Sequence, residues 1–391
     1  MHIDVNNAFL SWTAIYLLEN GYKEDIRNTY AIIGGDEKRR AGIVLAKSTP
    51  AKTKGIKTAE TIYEAKRKCP NLKIFPPNYD FYKQKSNELF TLLSNYTPDI
   101  EVASIDECYL DYTKVQKLYG DPLNFAKKIQ KEIKDKLGFT VNIGIAENKL
   151  CAKMASDFSK PYKIHTLYQN EIKEKMFPLP IEDLFGVGKQ TAEKLKYLGI
   201  KTIKDLALQN EYNLRKIFKN QAKHLIEIAN GVDENEVDPS KTEPKGISNE
   251  ITLSEDLTSK KDLYKKLSIL SEMVAKRIRK ENKYAKVVCV ILKDNHFRRY
   301  SHQKKLKNPI NNYEDIYKHS KQILDEFYQN EPIRLIGIRL DDLTEVKIVQ
   351  TSLFEETSEK SEKLESIMDE INKKYGKEVL KRASHIEKQV K

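Results

Sequence analysis

Between Leu179 and Gly231 the chain carries short helical patterns and no strand signal, whereas strands and helices alternate on either side. That change of rhythm is the strongest constraint on the fold. Alternation requires a sheet with helices packed on it, and an all-helical stretch requires a core of its own. The opening segment reads as a strand at residues 2–5, a helix from Asn7 to about Asn20, and strands at Tyr30–Ile33 and Gly42–Ala46 joined across Gly34-Gly35-Asp36. Helices at about Ala59–Lys68 and Tyr79–Tyr96 follow, then a hairpin over Glu101–Asp111, a helix over Leu123–Leu137, a strand over Thr140–Ile145 and a helix over Lys149–Phe158. Val232–Lys245, rich in Asp, Glu, Pro and Ser, reads as a linker. Beyond it the order is β-α-β-β-α-β as far as Leu343, the ferredoxin-like plan. A polar spacer and a helical stretch over Glu362–Lys388 close the sequence. The fold class is α+β with several domains.

Composition narrows the partners. The 391 residues carry 69 Lys and Arg against 57 Asp and Glu, a net charge of +12, and 39% are hydrophobic. That is enough apolar material for packed cores and excludes a wholly disordered chain. No apolar run approaches a membrane span, and Met1-His2-Ile3-Asp4-Val5 does not read as a signal peptide. Cys69, Cys108, Cys151 and Cys289 are scattered with no CxxC pair, the usage of a cytoplasmic protein without a disulfide framework or zinc site. Residues 276–307 hold twelve Lys and Arg against only Glu281 and Asp294. Concentrated positive charge of this kind suits a polyanion partner or, equally, a solvated face.

Two acidic segments stand out. Asp4 lies inside Ile3-Asp4-Val5 at the end of the first strand, where a buried charge is costly unless it meets a cation or partner. The second is Ala103-Ser104-Ile105-Asp106-Glu107-Cys108-Tyr109-Leu110-Asp111. Neighbouring strand residues face opposite ways, so Asp106 and Glu107 share a site only if the chain turns between them. Read alone, the segment is more simply an ordinary acidic hairpin turn. Carboxylates from separate segments, with no nearby His or Cys, suit a pair of hard ions, Mg²⁺ or Mn²⁺, rather than zinc.

Taken together these segments resemble the Y family of DNA polymerases, the lesion-bypass class, and within it the bacterial DinB type. The resemblance is carried by His2-Ile3-Asp4-Val5-Asn6-Asn7-Ala8-Phe9, by Ser104–Asp111, and by Asn142-Ile143-Gly144-Ile145-Ala146-Glu147-Asn148-Lys149 with Ala155-Ser156-Asp157-Phe158-Ser159-Lys160-Pro161. It implies a right-hand polymerase with a ferredoxin-like palm (1–21 and 77–166), small fingers (22–76) and an all-helical thumb (167–232). A linker (233–244), a second ferredoxin-like little finger (245–345) and a tail (346–391) complete it. The resemblance also implies that Asp4, Asp106 and Glu107, with the Val5 carbonyl, hold two Mg²⁺ ions. Phe9 falls at the family's steric gate, where a ring against the sugar excludes a 2′-hydroxyl; the other reading of Phe9 is plain core. Lys160 matches the lysine that meets the triphosphate, with Asn7 and Ala8 adding backbone N–H groups. In the fingers Thr49 stands where the family often has Tyr, and Lys52 where it has Arg, so the charge is kept and the bidentate fork is lost. Only three residues precede Asp4, which shortens the first strand or places the start upstream.

Phosphate contacts are expected at two further places. Gly186-Val187-Gly188-Lys189 resembles a helix-hairpin-helix, in which glycine backbone and a helix N-terminus approach a phosphate. In the little finger, alternation puts Arg298, Tyr300 and His302 on one face, and Arg298, Arg299 and Lys304 are the expected DNA contacts. Gln350-Thr351-Ser352-Leu353-Phe354 resembles the peptide that docks such polymerases on a sliding clamp. The implied activity is template-directed, low-fidelity DNA synthesis by a monomer acting on primer-template DNA and dNTPs, without proofreading. Two other readings remain: a silent DNA-binding scaffold, and a nucleotide cyclase suggested by Gly34-Gly35-Asp36-Glu37.

Overall fold

A computed structural model describes residues 1–35, 42–240, 243–345, 359–376 and 379–380. These form two compact units, one from residues 1–35 and 42–240 and the other from residue 243 onward. Among the described residues no helix is long and apolar enough to cross a membrane.

The first unit is organised by β1 (His2–Val5), which lies at the centre of a five-stranded sheet. A second, three-stranded sheet consists of β2 (Ala31–Gly34), β3 (Val44–Lys47) and β4 (Lys73–Phe75) in the order β3-β2-β4. The central sheet is completed by β5 (Ile100–Val102), β6 (Glu107–Leu110), β7 (Val141–Ile145) and β8 (Ile164–Thr166), in the order β5-β6-β1-β7-β8. Strand alternation gives this sheet two different faces. Ile3, Val5, Cys108, Leu110, Val141 and Ile143 join the core formed with the helices Ala8–Glu19, Tyr79–Ser94 and Pro122–Leu137. His2, Asp4, Glu107, Tyr109, Asn142 and Gly144 take the other face, which the helix Lys149–Asp157 covers.

That helix serves two cores. Leu150, Met154 and Ala155 pack into the all-helical segment, with Leu184, Leu195, Leu206 and Leu225. Its opposite side meets β7, and Gly144 is the reason it can. A Cβ there would fall 1.9 Å from the Ala152 carbonyl oxygen and 2.6 Å from the Ser156 nitrogen, so only glycine permits the approach. The smaller sheet has its own core of Ile32, Val44, Ala51, Ile56, Ile62 and Leu72. Its strands β2 and β3 pair antiparallel as the Gly34-Gly35 signal implies, and Asp36 and Glu37 lie outside the described residues.

The second unit contains β9 (Gly246–Leu257), β10 (Tyr284–Asp294), β11 (Arg299–Ile310) and β12 (Ile333–Thr344) in the order β11-β10-β12-β9. The helices Lys260–Lys280 and Tyr313–Phe327 supply the two crossovers, each passing over one intervening strand. Leu267, Leu270, Val274, Ile316, Ile323, Val288, Val290, Leu292, Ile336 and Ile338 form the core between sheet and helices. A tail helix is present over Glu359–Tyr375, shorter than the expected Glu362–Lys388, of which 377–378 and 381–388 lie outside the described residues, and it is attached to this unit. Arg279 pairs with Glu365 and Asp369, and Glu365 also accepts the Tyr313 N–H.

Candidate active site

Asp4 and Glu107 face one another across β1 and β6. Directly opposed residues of an antiparallel pair lie on the same face, so the register alone brings the two carboxylates together. The chain bends over residues 104–106 before β6 begins at Glu107. The Asp106 carbonyl accepts the Val5 N–H at 3.0 Å, while its carboxylate takes the Ser104 hydroxyl at 2.7 Å. Asp4 and Glu107 are therefore neighbours, and Asp106 lies alongside with its carboxylate turned to Ser104. Among the described residues no three His, Cys, Asp or Glu side chains converge as a ready metal cage.

Two lysines neutralise the pair. Lys153, buried in the helix Lys149–Asp157, lies 2.7 Å from Glu107 Oε1, 3.4 Å from Asp4 Oδ2 and 3.3 Å from Asp157 Oδ2. Lys160, beyond the helix end, bridges Asp4 Oδ2 and Asp157 Oδ1 at 2.9 Å each. Its side chain is 36% exposed, against 10% for Asp4. Burial, with Glu107 beside it, pushes the Asp4 carboxyl up against the pull of Lys160 and Lys153. For Lys153 burial acts downward, but the Glu107 hydrogen bond and the charges of Asp4 and Asp157 outweigh it and hold the ammonium above the usual lysine range. Buried Asp4 and half-buried Glu107 present oxygen donors only, a set that fits a hard divalent cation. The donor set is thus compatible with the metal the resemblance implies.

The surroundings fix this geometry. His2 is fully buried, its pKa pushed down to about 3 by burial and then by Lys153. Its Nδ1 lies 2.8 Å from the Ser156 hydroxyl, which itself donates to the Lys153 carbonyl, so the imidazole is the donor. Asn6 ties the end of β1 to the segment carrying Lys160, donating to Asn142 and accepting from Thr140 and the Tyr162 N–H. Asn148 and Asp233 cap the helix start at Cys151 and Leu150.

Phe9 sits in the first turn of the helix Ala8–Glu19, half-buried, its ring stacked on Tyr82 at 4.7 Å and edge-on to Tyr79 at 5.9 Å. The Tyr82 hydroxyl is fastened to Thr13 at 2.7 Å. Asn7 takes a left-handed backbone and leaves the helix start without a side-chain cap, so Asn7 and Ala8 stand at an uncapped N-terminus. Thr49 opens the short helix Thr49–Thr53, and Lys52 lies in it, both exposed. Lys47 was not anticipated; burial and then Lys52 lower its pKa, so two ammonium groups lie close together here.

Gly188 precedes the helix Lys189–Tyr197, whose start has no side-chain cap, and Gly186 needs its positive φ of 91° for the turn. Lys189 is almost fully exposed. The little-finger face differs from expectation. Tyr300 and His302 lie on the core side against Phe327, and Lys304 is 3.8 Å from Glu326 on the same side. Arg298 precedes β11 and bonds Asp294 at 2.7 Å. Arg299 pairs with Glu250, sharing the opposite face with Ser301, Gln303 and Lys305. The reason is phase: the strand begins after a turn in which Phe297 has a positive φ. Gln350, Leu353 and Phe354 lie outside the described residues.

A five-stranded sheet with opposed acids at its centre, lysines over them and a helical hairpin beyond it defines a palm-type nucleotidyl-transfer protein. The impB/mucB/samB family matches residues 3–157, its C-terminal domain residues 244–353, and its helix-hairpin-helix motif residues 169–200. The chain is 47% identical to DNA polymerase IV of Clostridium acetobutylicum over 100% of its own length and 98% of that protein. It is 34% identical to DNA polymerase IV 1 of Bacillus subtilis, covering 99% and 93%. Among solved structures, a Y-family DNA polymerase chimera (Dbh-Dpo4(243-245)-Dbh) superposes with a TM-score of 0.77 at 26% identity, covering 89% of this chain and 99% of that one. An insertion ternary complex of Dbh DNA polymerase gives 0.60 at 26%, covering 87% and 97%. The chain belongs to the impB/mucB/samB family, the Y-family DNA polymerases, and within it groups with the DNA polymerase IV proteins. Its palm, fingers, helical thumb and little finger are those of that family.

Proposed function

We infer that the chain is a template-directed, low-fidelity DNA polymerase that extends primers past damaged template positions. The observation that carries this is the family match over its whole length, centred on a palm whose Asp4 and Glu107 meet across two strands. The primer 3′-hydroxyl attacks the α-phosphorus of a bound dNTP and pyrophosphate leaves.

Y-family polymerases depend on metal. Asp4, Asp106 and Glu107, with the Val5 carbonyl, would hold two Mg²⁺ ions, with Mn²⁺ as a substitute. When bound, such ions polarise the attacking and leaving oxygens and offset charge on the phosphate. The chain's own groups do the rest. Lys160, more exposed than Lys153 and shared between two carboxylates, exchanges Asp4 for the triphosphate. The N–H groups near Asn7 and Ala8 receive phosphate oxygens, with Thr49, Lys52 and Lys47 closing from the fingers. Phe9, held flat by Tyr82, meets the sugar edge and leaves no room for a 2′-hydroxyl.

Gly186, Gly188 and Lys189 hold a backbone phosphate of the duplex. In the little finger Arg299, with Ser301, Gln303 and Lys305, is the better phosphate-facing set than Arg298 or Lys304. Such contacts grip DNA without reading its sequence. We assign the palm to 1–21 and 77–166, the fingers to 22–76, the thumb to 167–232 and the little finger to 245–345. The enzyme works as a cytoplasmic monomer, recruited by the clamp peptide at 350–354. A cyclase reading has no support, since Gly34 ends a strand of the smaller sheet and not of the one bearing the acids.

Primer extension on an undamaged template and on one with an abasic site tests this. Template-matched extension on the first and synthesis across the second are expected. DNA binding without extension on either would favour the scaffold reading.

A further inference from the structure

Lys153 is a lysine on an amphipathic helix, yet it is the most deeply placed cation at the site. Its ammonium reaches Glu107, Asp4 and Asp157 together. We propose that Lys153 is a positioning residue, the resident counter-ion that keeps Glu107 and Asp4 aligned and sets how readily the pair accepts a divalent cation. The proposal rests on the reading of Asp4 and Glu107 as metal-holding carboxylates.

The frame around Lys153 leaves it little choice of place. Gly144 lets the helix touch β7, Ser156 joins the Lys153 carbonyl to His2 on β1, and Asn148 and Asp233 fasten the helix start. Lys160 lies past the helix end, more exposed than Lys153 and paired with Asp4 and Asp157. An ammonium 2.7 Å from Glu107 Oε1 competes with any metal for that oxygen. It can yield because Asp157, one helical turn on and 3.3 Å away, offers it a second carboxylate. Lys153 therefore holds the acids ready without metal and moves toward Asp157 when metal arrives. Loss of Lys153 and loss of Asp157 must then shift metal affinity in opposite directions.

The test is a Mn²⁺ titration of the full chain without DNA or nucleotide, following free Mn²⁺ by electron paramagnetic resonance. Lys153→Met keeps the stem and drops the charge; it should bind Mn²⁺ at least fivefold more tightly, since one charge–charge contact at ~4 Å is worth about 1 kcal/mol even in bulk water. Lys153→Arg should restore wild-type affinity. Asp157→Asn should bind more weakly, and should lose most of that effect in the Lys153→Met background. Circular dichroism and urea midpoints check that each variant folds. Wild-type affinity in Lys153→Met, or equal effects of Asp157→Asn in both backgrounds, would overturn the role of Lys153 while Glu107→Gln still abolished binding. If Glu107→Gln changed nothing, the metal reading itself would fall and this proposal with it.

Discussion

Asp4 and Glu107 are register partners: the fourth residue of the chain and the first residue of β6 stand opposite one another in the central sheet. The alternation that points Ile3 and Cys108 into the core points these two acids to the other face. A one-residue slip between β1 and β6 would send Glu107 into the core, so the hydrophobic pattern of two short strands fixes the chemistry.

The helix that lies over these acids depends on Gly144. Gly144→Ala should destabilise the first unit by about 3 kcal/mol, at the upper end of overpacking costs, because the new Cβ meets backbone that cannot turn aside. A urea melt measures this. Unchanged stability would show that the helix moves without penalty.

Under the proposed function, Phe9 selects the sugar. Phe9→Ala should raise incorporation of ribonucleotides relative to deoxynucleotides by at least tenfold while leaving DNA affinity intact. Single-nucleotide insertion with paired dNTP and rNTP measures the ratio, and an unchanged ratio would reduce Phe9 to a core residue stacked on Tyr82.

His2 gives a pH signature. Its folded pKa, pushed down to about 3, lies below the unfolded value of about 6.5, so the unfolded chain binds the extra proton. The neutral burial of His2 is therefore fully favourable above about pH 6.5 and is lost progressively as pH falls toward 3. Between about pH 7.5 and 5.5 the loss is about 1.4 kcal/mol. His2→Asn keeps an amide at the Nδ1 position and should remove this slope, and equal slopes in urea midpoints for both proteins would contradict the assignment.

The peptide at 350–354 should act in recruitment and not in chemistry. Leu353→Ala with Phe354→Ala should cut affinity for a sliding clamp at least tenfold and leave clamp-free primer extension unchanged. Full clamp affinity in the double variant, read by surface plasmon resonance, would remove this segment from consideration.

Much of this architecture is legible in the sequence because many of its strands and helices are strongly patterned. Ile3-Asp4-Val5 and the Glu107–Leu110 run announce both the sheet and the acids, and the strand-free stretch after Leu179 announces the helical segment. Other features have no one-dimensional signal. The three-residue strands β4 and β8 are too short for a period to show. Lys153 draws no reading from the sequence, because only the close approach at Gly144 brings its helix onto the sheet. In β11 the alternation is visible but its phase is not, since the turn at Phe297 sets where the strand begins and moves Tyr300 and His302 to the core side. The basic stretch at 276–307 is partly neutralised within its own unit, as Arg279 is by Glu365 and Asp369.

The most direct test of the central claim compares the wild type with Glu107→Ala in primer extension with Mg²⁺ and all four dNTPs, measuring primer-template binding in parallel. The account predicts template-dependent extension by the wild type, and loss of at least a thousandfold in the variant with DNA affinity retained. Extension by Glu107→Ala at the wild-type rate would show that the opposed acids of β1 and β6 are not the catalytic centre.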